Sequence, residues 1–97
     1  MSLLIINGGE HKGSQIELGG SRLTIGRSND CDVILRHKDV SSHHAQLVVR
    51  EKVCWLQDLG STNGTLLNGR RLFPHTERIL RNNDELRLGH LLVTVRF

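Results

Sequence analysis

Five side chains in this sequence are built to donate hydrogen bonds: the guanidinium of Arg27, the hydroxyls of Ser41, Ser42 and Thr62, and the carboxamide of Asn63. They fall in three short segments, Gly26-Arg27, Ser41-Ser42-His43-His44-Ala45 and Asp58-Leu59-Gly60-Ser61-Thr62-Asn63-Gly64-Thr65. Donors gathered without paired acids point to an anion receptor rather than to acid–base chemistry. A phosphorylated side chain is the natural fit, because it brings a charge of about −1.5 to −2 and three acceptor oxygens that need donors from several directions. Arg27 is the anchor, since a planar guanidinium grips two phosphate oxygens at once. Ser41 and neighbouring amides can hold the rest. Asn63 can donate and accept toward a peptide main chain, and Gly64 allows the tight turn that aims it.

Those donors need rigid carriers, and the sequence supplies strands. Ala45 is the only alanine, Val, Ile, Leu and Thr are plentiful, and no helical stripe is sustained, so local preference favours an all-β fold. Turn-forming clusters at Asn7-Gly8-Gly9, Gly19-Gly20, Ser28-Asn29-Asp30, Asn63-Gly64, Asn68-Gly69, Asn82-Asn83-Asp84 and Gly89-His90 separate short runs. Strands are predicted near residues 2–6, 14–18, 22–26, 32–35, 45–50, 52–57, 65–68, 70–72, 79–80, 85–88 and 91–97. Leu86, Leu88, Leu91, Val93, Val95 and Phe97 alternate with polar residues and are expected to share inward faces. The expected architecture is two packed antiparallel sheets, a β-sandwich of about eleven short strands with binding loops at one end. Arg27, Ser41 and Asn63 all fall just beyond strand ends.

At 97 residues the chain is expected to form one domain over residues 1–97, a module of a longer protein. Its net charge of +3 is dispersed, which argues against a nucleic-acid partner, and Trp55, Phe73 and Phe97 are too few for a base-stacking platform. The apolar start, Leu3 to Ile6, is too short for a secretory core or a membrane span, so a cytoplasmic monomer with no membrane contact is expected. Cys31 and Cys54 lack any CxxC spacing and read as free core thiols. His43 and His44 raise the question of a metal with Cys31 or His37, but adjacent residues of an extended segment point apart and no second ligand pair is suitably spaced, so neither metal nor cofactor is expected. His44 reads as a buried bracket and His43 as solvent-facing. Ser41, His44 and Asp58 have the residue types of a hydrolase triad, yet there is no G-x-S-x-G elbow, so an enzyme is not expected.

Taken in order, Thr24-Ile25-Gly26-Arg27, Cys31-Asp32-Val33-Ile34-Leu35, Val40-Ser41-Ser42-His43-His44-Ala45 and Asp58 through Thr65, with Asn68-Gly69 following, give the chain a likeness across nearly its whole length. It resembles a forkhead-associated (FHA) domain, a module that binds phosphothreonine peptides. The resemblance implies that Arg27 and Ser41 hold phosphate, Ser42 assists, and Thr62 and Asn63 line the groove, with Asn63 on the peptide main chain. It implies architectural roles for Gly26, His44, Gly64 and Asn68. It also places Asp39 where some relatives select the ligand residue three places after the phosphothreonine. The implied partner is a phosphothreonine-containing protein downstream of a Ser/Thr kinase; the competing expectation is a phosphate-independent FHA-like scaffold of a bacterial secretion or signalling assembly.

Overall fold

Period-two alternation of apolar and polar residues sorts this chain into two layers. The computed structural model describes residues 2–8 and 12–97, within which eleven strands form two sheets. One sheet contains β1 (Ser2–Ile6), β2 (Gln15–Leu18), β7 (Thr65–Leu67), β8 (Arg70–Arg71), β10 (Glu85–Leu88) and β11 (Leu91–Arg96), in the order β2-β1-β11-β10-β7-β8. The other contains β3 (Arg22–Gly26), β4 (Val33–Ile34), β5 (Ala45–Arg50), β6 (Val53–Asp58) and β9 (Glu77–Leu80), in the order β4-β3-β5-β6-β9. Among the described residues no helix is long and apolar enough to cross a membrane.

β6 shows how the pattern works: Cys54, Leu56 and Asp58 are buried while Val53, Trp55 and Gln57 between them are partly exposed. β10 and β11 do the same, burying Leu86 and Leu88, then Leu91, Val93 and Val95. The inner faces meet in one cluster that includes Leu4, Ile25, Leu47, Leu56, Leu86 and Val93. Each fully buried aliphatic side chain of this kind contributes about 1.5–3 kcal/mol of transfer free energy. Cys31 and Cys54 are free and buried. On the outer face of the five-stranded sheet, Trp55 stands in register between Val48 and Ile79, and the Arg50 guanidinium lies 5.1 Å from its ring centre.

Some expectations need correction. β4 runs parallel to β3, with Ile25 opposite Val33 and Gly26 opposite Ile34, because the 27–32 loop turns the chain through a full circuit. Side chains support that unusual pair: the Asp32 carboxylate accepts from the amide and the hydroxyl of Thr24 at 2.9 and 3.1 Å, and Thr24 Oγ1 accepts from the Asp32 amide. Phe97 does not continue the inward face of β11; the strand ends at Arg96 and Phe97 is 45% exposed. β9 begins at Glu77 rather than at residue 79, since an edge strand is held by backbone pairing to Gln57 and Leu56 and needs no apolar side chain there. Gly9, in the first predicted turn, lies outside the described residues.

The layout delivers the 27–32, 35–44 and 59–64 segments to one end of the sandwich, where the Arg27 amide donates to the Ser41 carbonyl at 3.0 Å and the Gly89 amide to the Gly64 carbonyl at 3.0 Å. Leu56 is fully buried at the centre of the layer supporting them. Leu56→Ala is expected to cost about 2–5 kcal/mol of unfolding free energy, measured by urea denaturation, whereas a change below 1 kcal/mol would contradict this packing.

Candidate functional site

His44 fixes the spacing of the loops. It is fully buried at the start of β5, and its Nδ1 accepts from the Ser41 amide at 3.0 Å while its Nε2 lies 2.9 Å from the Gly64 carbonyl. An amide can only donate and a carbonyl can only accept, so the ring is the neutral tautomer with its proton on Nε2. Burial lowers the His44 pKa below its ordinary 6.5, outweighing the opposing pull of the Gly64 carbonyl and of Asp58. With both ring nitrogens held by backbone, His44 makes no hydrogen bond to the Ser41 hydroxyl, so Ser41, His44 and Asp58 do not assemble as a hydrolase triad.

Asp58 organises the next loop instead. One carboxylate oxygen accepts from the Ser61 and Thr65 hydroxyls and the other from the amides of Gly60 and Ser61. Burial alone would raise its pKa, but those hydrogen bonds together hold it below the ordinary value. The turn that results places Gly64 at φ +85°, and its carbonyl also receives the Gly89 amide. Gly26 is required for a different reason: a Cβ there would run into the Ser42 carbonyl backbone. Asn68 ties the following hairpin down, donating to Asp84 at 3.0 Å and accepting from the Glu85 amide at 2.9 Å.

Arg27, Lys38, Asp39, Val40, Ser41, Thr62 and Asn63 line a shallow depression of about 140 Å³ at the meeting of the loops. The Ser41 hydroxyl oxygen accepts from the Thr62 amide at 2.9 Å, which leaves its O–H free to donate. Asn63 Nδ2 donates to the Asp39 carbonyl at 3.0 Å, leaving Oδ1 and a second N–H available. Arg27 Nη1 reaches the Lys38 carbonyl only at 3.5 Å. The one acid of the lining, Asp39, has its carboxylate 3.0 Å from His90 Nδ1 and 3.9 Å from His37 Nδ1. The depression therefore offers two cations and several uncommitted donors to an anion.

Four of the five expected ligand-contacting residues are thus neighbours. Ser42 is not among the lining residues; it is exposed, and its carbonyl accepts from the Ser28 amide at 3.1 Å and the Cys31 thiol at 3.2 Å. Lys38 was not singled out by sequence; its position three residues before Ser41 was the available signal. The sequence presents Asp58 as a triad residue type and as the first residue of the Asp58–Thr65 motif, although its spacing to Ser61 and Thr65 is that of a side chain capping its own turn.

A model of the FHA domain family matches residues 23–89. The chain is 31% identical over 88 residues to an oxoglutarate dehydrogenase inhibitor of Corynebacterium efficiens, covering 91% of this chain and 60% of that protein. It is 38% identical over 65 residues to the FHA domain-containing protein FhaB of Mycolicibacterium smegmatis, covering 67% of this chain and 42% of the other. The chain thus spans less than two thirds of these curated relatives. Among solved structures it is similar, with a TM-score of 0.87 and 31% identity over 99% of this chain and 95% of the other, to one from a study of phosphothreonine-dependent FHA domain interactions. It is likewise similar to the FhaA FHA domain complexed with an intracellular domain of another protein, with a TM-score of 0.86, 31% identity, and 99% and 100% coverage.

Because the folded state lowers the His44 pKa, it favours the neutral ring. The stabilisation is then complete above the unfolded value of 6.5 and is lost as pH falls through the depressed folded value. Thermal melts are expected to show stability declining from just below pH 6.5, a decline that His44→Ala removes at the expense of a lower melting temperature throughout. The Asp58 contribution lies in a separate window, lost only below its ordinary 3.8. A melting temperature flat between pH 7 and pH 4.5 would contradict the neutral clamp.

Proposed function

The chain belongs to the FHA domain family, and on that premise we propose that it is a non-catalytic, phosphothreonine-dependent protein–protein interaction module in Ser/Thr kinase signalling. The observation that carries the proposal is the convergence of Arg27, Ser41, Thr62 and Asn63, from three separate loops, on one depression. In this reading Arg27 grips two phosphate oxygens, the free Ser41 proton takes a third, and Thr62 lines the groove. Asn63 exchanges its bond to the Asp39 carbonyl for bonds to the ligand main chain. Lys38 adds a second positive charge at the rim. Ser42, exposed beside Ser41, assists as a further donor, and Asp39, on the rim, disfavours an acidic ligand residue three places after the phosphothreonine. The ligand is the product of a Ser/Thr kinase, and phosphothreonine is preferred over phosphoserine.

Each charge-assisted hydrogen bond contributes about 1.5–3 kcal/mol net. Loss of Arg27 is therefore expected to weaken binding about 10- to 100-fold. Calorimetric titration with an oriented phosphothreonine peptide library, followed by matched phosphothreonine, phosphoserine and unmodified peptides, should rank them in that order. Equal affinity for all three would refute the proposal, and an unchanged Kd in folded Arg27→Ala would remove Arg27 from the site. Partner capture that survives phosphatase treatment would favour the scaffold reading and move the contact to the outer face of the five-stranded sheet, where Ile79 is 46% exposed beside Trp55.

A further inference from the structure

Spacing along the chain disfavours a metal site, but folding changes the spacing. Asp30 and Cys31 lie in the loop that begins at Arg27, and His43 lies in the loop that carries Ser41. Yet a carboxylate oxygen of Asp30, Sγ of Cys31 and a ring nitrogen of His43 all stand within 4.8 Å of one another. His43 Nε2 is 2.9 and 3.1 Å from the two Asp30 oxygens. We propose that Asp30, Cys31 and His43 form a binding site for a thiophilic divalent cation of the Zn2+ class.

The donor set suits that ion and few others. Thiolate, imidazole and carboxylate are the three side-chain ligands of zinc, with bonds of about 2.0–2.3 Å, so their atoms stand about 3.3–3.6 Å apart around a tetrahedral centre. The observed cluster needs shifts on the order of an ångström to reach that geometry, mostly in two side chains that are free to move: His43 and Asp30 are 52% and 70% exposed. Their exposure also supplies the entry path. Asp32, the other acid of the loop, is held by Thr24 and does not compete. On binding, the Cys31 S–H bond breaks, the proton goes to solvent and a metal–sulfur bond forms; the Ser42 carbonyl loses the weak thiol bond it now accepts at 3.2 Å. The fourth tetrahedral position falls to solvent. A cation held this way would link the loop of Arg27 to the loop of Ser41.

Cobalt reports directly on such a site, because a thiolate ligand gives a near-ultraviolet charge-transfer band and a tetrahedral centre gives strong visible absorption. The full chain, reduced and titrated with Co2+ without any peptide, is expected to develop both at one equivalent and to lose them to equimolar Zn2+. His43→Ala and Asp30→Asn, both at exposed positions, should weaken Co2+ and Zn2+ binding at least about tenfold while leaving the metal-free melting temperature within about a degree. Zn2+ should raise the melting temperature of the parent chain and not of His43→Ala. Absence of the charge-transfer band in the parent chain, or its persistence in His43→Ala, would overturn the proposal. These readouts need no phosphopeptide, so the outcome is independent of the phosphothreonine reading.

Discussion

One buried imidazole holds two loops at a set distance, and the geometry of the site depends on it. His44 spans from the Ser41 amide to the Gly64 carbonyl, and it can satisfy both only as a neutral ring in one tautomer and one orientation. If either loop moved by more than a fraction of an ångström, a buried donor or acceptor would lose its partner, which costs about 1–3 kcal/mol. The penalty acts as a restraint: the hydroxyl of Ser41 and the turn that carries Thr62 and Asn63 stay in register because the alternative leaves backbone groups dry and unpaired. Asp58 repeats the logic one layer further on, gathering two hydroxyls and two amides around a single carboxylate. Among the described residues no buried side-chain nitrogen or oxygen lacks a partner.

These internal bonds also decide the sign of what the surface can bind. The Thr62 amide occupies a lone pair of Ser41 and leaves the hydroxyl proton free to donate. The Asp39 carbonyl takes one proton from Asn63, and the Asp39 carboxylate turns to His90. Apart from Asn63 Oδ1, these acceptors are engaged within the scaffold while Arg27, Lys38 and the Ser41 hydroxyl proton remain, an arrangement that favours anions before any ligand arrives. Preorganisation of this kind reduces the ordering cost of binding.

Much of this was legible from residue order. Alternation identified the inward residues of β10 and β11 as far as Val95, and the turn clusters separated the strands to within two residues in most cases. Gly64 stood out as the residue of a tight turn and Gly26 through the family resemblance, while the carbonyl that approaches Gly26 and the positive φ of Gly64 emerge only in the fold. What misled was local: Phe97 continues an alternating pattern, yet its strand ends a residue earlier. β4 reads as any short strand, and nothing along the chain announces that a six-residue loop will return it parallel to β3. Ser42 is chemically equivalent to Ser41, and only the fold shows that it is the Ser41 hydroxyl that receives the Thr62 amide.

By itself the sequence determined the fold class, the order of the loops and the chemical character of their side chains, because those follow from propensity, periodicity and functional-group type, all properties of neighbours along the chain. Tertiary structure alone decided which groups converge. Lys38 beside Arg27, Gly89 against the 59–64 turn, and Cys31 with Asp30 near His43 are relations between residues brought together by sheet pairing, and their distances depend on the register and twist of strands remote in sequence. Direction was decided there too. A hydroxyl or an imidazole has no fixed role until the fold supplies the amide or carbonyl that occupies one of its sites and leaves the other open.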